Sequence, residues 1–182
     1  IVAFTKSEQV RGVLGRIAAW CEQNDVGALF HPGLRDMLGT RAEVARHEED
    51  LLARGEALLS LGGDGTFLSV AHLCKFRGKP VVGVNLGGLG FLTAISAENL
   101  EENLLRIHRG DYHTISRMVL KAGLVRAGAE VRSFHALNDI FINRLGLPKL
   151  ASISAWLGNS VINDYLCDGI IVATPAGSTA YN

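Results

Sequence analysis

The sequence lacks the signals of several protein classes. Its three cysteines, Cys21, Cys74 and Cys167, are far apart and form no CxxC pair, which argues against a disulfide framework or a thiolate metal site. Buried thiols in a reducing cytoplasm are expected instead. No charge sign dominates, since 18 Lys and Arg balance 18 Asp and Glu at a pI of about 7.2. Nucleic-acid binders usually show a basic excess, so no nucleic-acid partner is expected. No apolar run approaches membrane-spanning length, and no membrane partner is expected. The opening IVAFTKSEQ has no basic segment ahead of an apolar one and does not read as a signal peptide. The six histidines show no ligand spacing, and His47-Glu48-Glu49-Asp50 has Leu51 where a zinc protease would need a second His. No GxSxG nucleophile elbow, no GxGxxG fingerprint and no GxxxxGK[ST] phosphate loop occurs.

Glycine, by contrast, is plentiful: 21 of 182 residues, gathered in short clusters rather than in a repeat. Glycine serves where backbone turns tightly or approaches a ligand. Between the clusters, apolar segments alternate in type. IVAF (1–4), VGALF (26–30), ALLSL (57–61) and PVVGV (80–84) read as buried parallel strands, because they are short and almost wholly apolar. Val10, Val13, Leu14, Ile17, Ala18 and Cys21 recur at helical spacing. Residues 41–53 suit an exposed, mixed-charge helix, TFLSVAHLCKF a second, and 97–108 a third capped by Ser96. This order predicts an α/β domain with a doubly wound, Rossmann-like sheet over 1–110. The remainder, 111–182, reads as β-rich, with hairpin turns at Ala127-Gly128 and Gly158-Asn159. The chain begins without Met and stops just after a glycine motif, so this second domain is expected to be incomplete at its C-terminus.

Four stretches carry candidate chemistry. In LGGDGT, Gly62, Gly63 and Gly65 stand between a strand and a helix, where backbone N–H groups can face a phosphate. Asp64 repels anions, so it makes sense there as a base or a metal-linked carboxylate; a plain turn with Asp64 as a helix cap explains it equally well. NLGGLGFLT (85–93) follows the next strand and offers Phe91 to stack on a flat ring or to fill a core. Asn138 and Asp139 interrupt a strand pattern, as a ligand contact or as a bulge. DGIIVATPAGSTAY (168–181) places Thr174, Ser178, Thr179 and Tyr181 around Pro175 and Gly177, with hydroxyls for sugar and base edges.

Together, LGGDGTFL (61–68), NLGGLGFLT (85–93), ALNDIFINR (136–144) and DGIIVATPAGSTAY (168–181) resemble the NAD kinase family in order and approximate spacing. GGDGT alone is shared with diacylglycerol and sphingosine kinases, so a lipid kinase is one alternative and a non-catalytic NAD-binding module another. The resemblance implies transfer of the γ-phosphoryl of ATP, or of polyphosphate, to the 2′-hydroxyl of the adenosine ribose of NAD, with Mg²⁺ or another divalent metal. It implies Asp64 as the base or positioning carboxylate at that hydroxyl, and Gly62, Gly63, Gly65 and Thr66 as nucleotide-binding residues. Asn138 and Asp139 would bind the nicotinamide-side ribose and amide. Phe91, Thr179, Ala180 and Tyr181 would surround the adenine, with Asp168, Thr174 and Ser178 nearby. A homodimer or homotetramer is implied as well. One departure is Ala94, where the family commonly has an acidic residue after GFLT.

Overall fold

The computed structural model describes residues 1–40, 42–75, 78–88, 90–144, 146 and 149–179. The chain divides into two compact units, Ile1–Ile115 and Ser116–Asn182.

The first unit opens with Val2, which joins Ser60 through a single parallel bridge rather than the full strand expected at 1–4. Helix α1 (Glu8–Gln23) follows, capped by Ser7, whose hydroxyl oxygen accepts from Val10 N at 3.2 Å. Its apolar positions Val10, Val13, Leu14, Ile17, Trp20 and Cys21 are all buried, as the helical spacing requires. Strand β1 (Leu29–Phe30) pairs in parallel with β2 (Glu43–Val44), and a 3₁₀ turn at Pro32–Met37 lies between them. The expected helix over 41–53 is therefore corrected: β2 occupies part of it, and helix α2 covers only Glu48–Arg54. His47 starts that helix, with Nδ1 accepting from Asp50 N at 3.2 Å. Three acidic residues in the first turn meet the positive helix end.

Strand β3 (Leu58–Leu61) leads through the first glycine loop into α3 (Asp64–Leu73). Strand β4 (Val81–Asn85) lies beside β3, and the short β5 (Ile95–Ser96) beside β4, all parallel. A 3₁₀ turn over Ala97–Asn99 then precedes α4 (Leu100–His108), and Ser96 makes no side-chain cap bond. The register Leu59↔Val82 and Leu61↔Val84 puts these four side chains with α1 and α4. Leu58 and Val81 join Val70 of α3, Cys74 just after that helix and Leu51 of α2. Apolar clusters on both sides of a parallel sheet make the arrangement doubly wound. Ser60 and Gly83 are partners on the α3 side, and a Cβ on Gly83 would come within 3.0 Å of the Phe67 ring. That small pair lets α3 approach closely.

The second unit is built of antiparallel ladders. Strands β6 (Leu120–Arg126) and β7 (Ala129–Ala136) pair across Ala127-Gly128, both with positive φ (49° and 80°), which matches the twist of a tight hairpin. Strand β8 (Asp139–Asn143) pairs with β11 (Gly169–Ala173), while β9 (Ala151–Leu157) pairs with β10 (Ser160–Cys167). Among the described residues of this unit, Ala136, Leu137, Thr174 and Gly177 are the buried ones. Burial therefore concentrates where β7 ends, β8 begins and β11 runs out.

Candidate active site

The first glycine loop is shaped from inside. Gly62 N donates to Val84 O at 2.9 Å, and Gly62 has a φ of 149°, which only glycine adopts comfortably. A Cβ there would also collide with the Thr66 hydroxyl. Gly63 caps α3; its carbonyl accepts from Thr66 N at 3.0 Å and from Phe67 N at 3.2 Å. Gly63 and Gly65 differ from Gly62. Both are exposed, neither has a positive φ, and a Cβ on either would meet nothing within 4 Å. Among the described residues, nothing requires glycine at these two positions, and both lie at the helix end where N–H groups lack intrahelical partners.

Asp64 is the first residue of α3, one position inside the N-cap Gly63, so it is not the helix cap. Its carboxylate reaches to the second glycine loop instead: Oδ2 accepts from Phe91 N at 2.8 Å and Oδ1 from Leu92 N at 3.0 Å. The turn-and-cap explanation of this aspartate is thereby replaced by a bond between the loops that follow β3 and β4. A Cβ on Gly90 would stand 2.5 Å from Asp64 Oδ1, so the close approach depends on glycine there. The Phe91 ring is exposed, and its backbone makes the contact to Asp64.

Asn85 was not among the expected site residues, but its side chain organises this second loop. Nδ2 donates to Gly88 O at 2.6 Å and to Thr93 Oγ1 at 3.1 Å, and Oδ1 accepts from Gly87 N at 2.8 Å. The sequence signal was its position, a polar residue closing a buried strand just before glycines.

In the second unit, Thr174 is buried and its hydroxyl is fully engaged. It donates to Leu137 O at 2.6 Å and accepts from Gly177 N at 3.0 Å, while Thr174 N donates to Asn138 O at 2.7 Å. Ser178 N donates to Thr174 O at 2.9 Å, and Ser178 Oγ to Pro175 O at 2.9 Å. Thr179 Oγ1 donates to Ala176 O at 3.4 Å. Asn138, Asp139, Thr174, Ser178 and Thr179 are thus gathered at one end of the β8–β11 ladder. The Oδ1 of Asn138 is buried with no hydrogen-bond partner among the described residues. Buried polar atoms are rarely left so. Asp168 stands at the other end of the ladder, paired with Arg144, roughly 20 Å away by strand rise. Ala180 and Tyr181 lie outside the described residues.

Among the described residues, no three His, Cys, Asp or Glu side chains gather as a metal cage. No helix among them is long and apolar enough to cross a membrane.

Residues 22–112, half of the chain, match the model of the ATP-NAD kinase N-terminal domain. The chain belongs to the NAD kinase family. The NAD kinase of Heliobacterium modesticaldum is 45% identical over the whole chain and 64% of its own length. That of Caldanaerobacter subterraneus is 43% identical over 83% of the chain and 54% of its own length. The chain therefore spans between about half and two thirds of the curated NAD kinases it matches. Among solved structures, yeast NADH kinase complexed with NADH shares the fold with a TM-score of 0.85 at 23% identity, over 99% of this chain and 58% of that one. An NAD kinase from Archaeoglobus fulgidus in complex with ATP gives 0.69 at 26% identity, over 98% and 61%.

Proposed function

We propose that this chain catalyses transfer of the γ-phosphoryl group of ATP to the 2′-hydroxyl of the adenosine ribose of NAD, giving NADP. The observation that carries the reading is Asp64, a carboxylate at the mouth of the parallel sheet held by two N–H groups of the neighbouring loop. Ligands of such sheets bind outside the carboxyl ends of the strands. A carboxylate oxygen accepts more than one hydrogen bond, so each Asp64 oxygen keeps capacity for a hydroxyl. In the step, the ribose oxygen forms a bond to the γ-phosphorus. The bond from that phosphorus to the β–γ bridging oxygen breaks, and ADP leaves with the electron pair. The ribose proton passes to Asp64. Phosphoryl transfer needs positioning and charge stabilisation more than covalent chemistry. Gly63 and Gly65 suit that need, because their open backbone can approach phosphate oxygens.

The orphan Oδ1 of Asn138 supports an amide or hydroxyl donor of NAD beside it. Asp139, Ser178 and Thr179 stand with it, and Thr174 is assigned to shaping that loop rather than to touching ligand. The family resemblance assigns Phe91, Thr179, Ala180 and Tyr181 to the adenine. A divalent cation such as Mg²⁺ would come on the donor's phosphates, as Mg²⁺ commonly does, and would neutralise their charge there. Polyphosphate is the alternative donor, a homodimer or homotetramer the assembly, and the cytoplasm, which suits three free cysteines, the compartment.

The test is NADP formation with ATP, polyphosphate and Mg²⁺ supplied separately, for the wild-type chain and for Asp64→Asn. The expected result is a fall of about 10²- to 10⁴-fold in turnover for Asp64→Asn with NAD binding retained. Full turnover in that variant removes Asp64 as the base. Phosphorylation of diacylglycerol in place of NAD makes a lipid alcohol the acceptor and overturns the reading.

A further inference from the structure

Asn85 ends β4 and opens the second glycine loop. Its three side-chain bonds tie Gly87 and Gly88, where the loop departs, to Thr93, where it returns. The N–H groups that hold Asp64 belong to Phe91 and Leu92, inside the segment those bonds close. From the far side, Gln9 of α1 donates to Leu86 O. We propose that Asn85 is the positioning residue for Asp64: it fixes the loop curvature that aims two N–H groups at one carboxylate. This rests on the phosphoryl-transfer reading above and adds a residue to it.

The argument is one of freedom and competition. Gly87, Gly88 and Gly90 give the loop more backbone freedom than any other residue type would. A Cβ at Gly87 or Gly88 would meet nothing within 4 Å, so packing does not confine that part of the loop. The Asn85 amide is what bridges it, using both donor and acceptor capacity. Asp64, for its part, sits at a helix N-terminus, where its own first-turn N–H groups compete for its oxygens. Once the loop loosens, the carboxylate can turn back onto its helix and away from the mouth of the sheet. A misplacement of 1 Å at a reacting group can cost about a hundredfold in rate.

The experiment uses the full chain and has two arms. In the kinetic arm, Asn85→Ala is expected to lower kcat about 10- to 100-fold, with KM for NAD within about threefold. Added to Asp64→Asn, it is expected to slow turnover no further, since a residue acting through Asp64 has nothing left to position. In the second arm, hydrogen exchange of the Phe91 and Leu92 amides is followed at fixed pH. The wild type is expected to protect both amides, since both donate to Asp64, and Asn85→Ala to lose that protection while the β3 and β4 amides keep theirs. Wild-type kcat in Asn85→Ala, an additive slowing in the double variant, or retained protection of both amides overturns the proposal. If Asn85→Ala does not fold, Thr93→Val carries the test: it removes one of the three bonds, and at least a threefold fall in kcat is expected, an unchanged kcat overturning the proposal. If the wild type forms no NADP, the phosphoryl-transfer reading falls, and the amide arm still decides whether Asn85 positions Asp64.

Discussion

Gly177 lies directly against the backbone of Asn138: a Cβ built on it would stand 2.6 Å from the Asn138 Cα and closer still to its carbonyl. The obstacle is backbone, which cannot step aside as a flexible side chain would. Gly177→Ala is expected to destabilise the second unit by about 1–3 kcal/mol and to weaken NAD binding, because Asn138 moves with the loop. Thermal denaturation and NAD calorimetry check this. An unaltered melting temperature would show that the close approach is not required.

The central parallel strands were legible because they are almost wholly apolar. ALLSL and PVVGV cannot face water on either side, and β3 and β4 lie where those runs predict. Residues 41–53 misled for two reasons. A helix cap by His47 falls outside the usual Ser, Thr, Asp and Asn signals. The pairing of Glu43–Val44 with Leu29–Phe30 is a contact distant in sequence, which local periodicity does not encode. The same limit hid the bond from Asp64 to the loop 27 residues later. The sequence pointed to both glycine loops, but not to the fact that one holds the other's carboxylate. Asn85 escaped because its neighbours bind it within the loop, a use no composition cue distinguishes from a turn.

The glycines of GGDGT are expected to separate by role. Gly62→Ala meets both a positive φ and the Thr66 hydroxyl, so it should lower stability. Gly65→Ala meets open space and should leave the melting temperature within a degree or two, or raise it slightly through reduced unfolded-state freedom. Its turnover should nonetheless fall about tenfold or more if phosphate oxygens approach that backbone. Equal stability with equal turnover would remove Gly65 from the phosphate-facing surface.

Ser60 lies under α3, fully buried, with a hydroxyl that has no hydrogen-bond partner among the described residues. Leaving such a group unsatisfied costs about 1–3 kcal/mol. Ser60→Ala removes the hydroxyl and only a little volume, so it is expected to be neutral or to stabilise by up to about 1 kcal/mol. Urea unfolding measures it. A clear loss of stability would reveal a partner for that hydroxyl in solution.

Arg16 ties α1 to α4 by donating through two nitrogens to Glu101, with its third reach to Ala97 O at 2.7 Å. That bond holds the Glu101 carboxyl below its ordinary value of 4.5. A carboxyl with a depressed folded-state pKa stabilises the fold above its unfolded-state value. The contribution is therefore present in full above about pH 4.5 and is lost as pH falls through the lower folded value. Both side chains are more than a third exposed, at 39% and 44%, so solvent screens the effect and it should be small. Glu101→Gln is expected to lower stability slightly at neutral pH and to flatten the loss of stability below pH 4.5. Parallel urea titrations of the two proteins at pH 7 and at pH 3.5 read the difference. If the gap between them is as wide at the lower pH as at pH 7, the ionised Glu101 carboxylate does not hold α4 to α1.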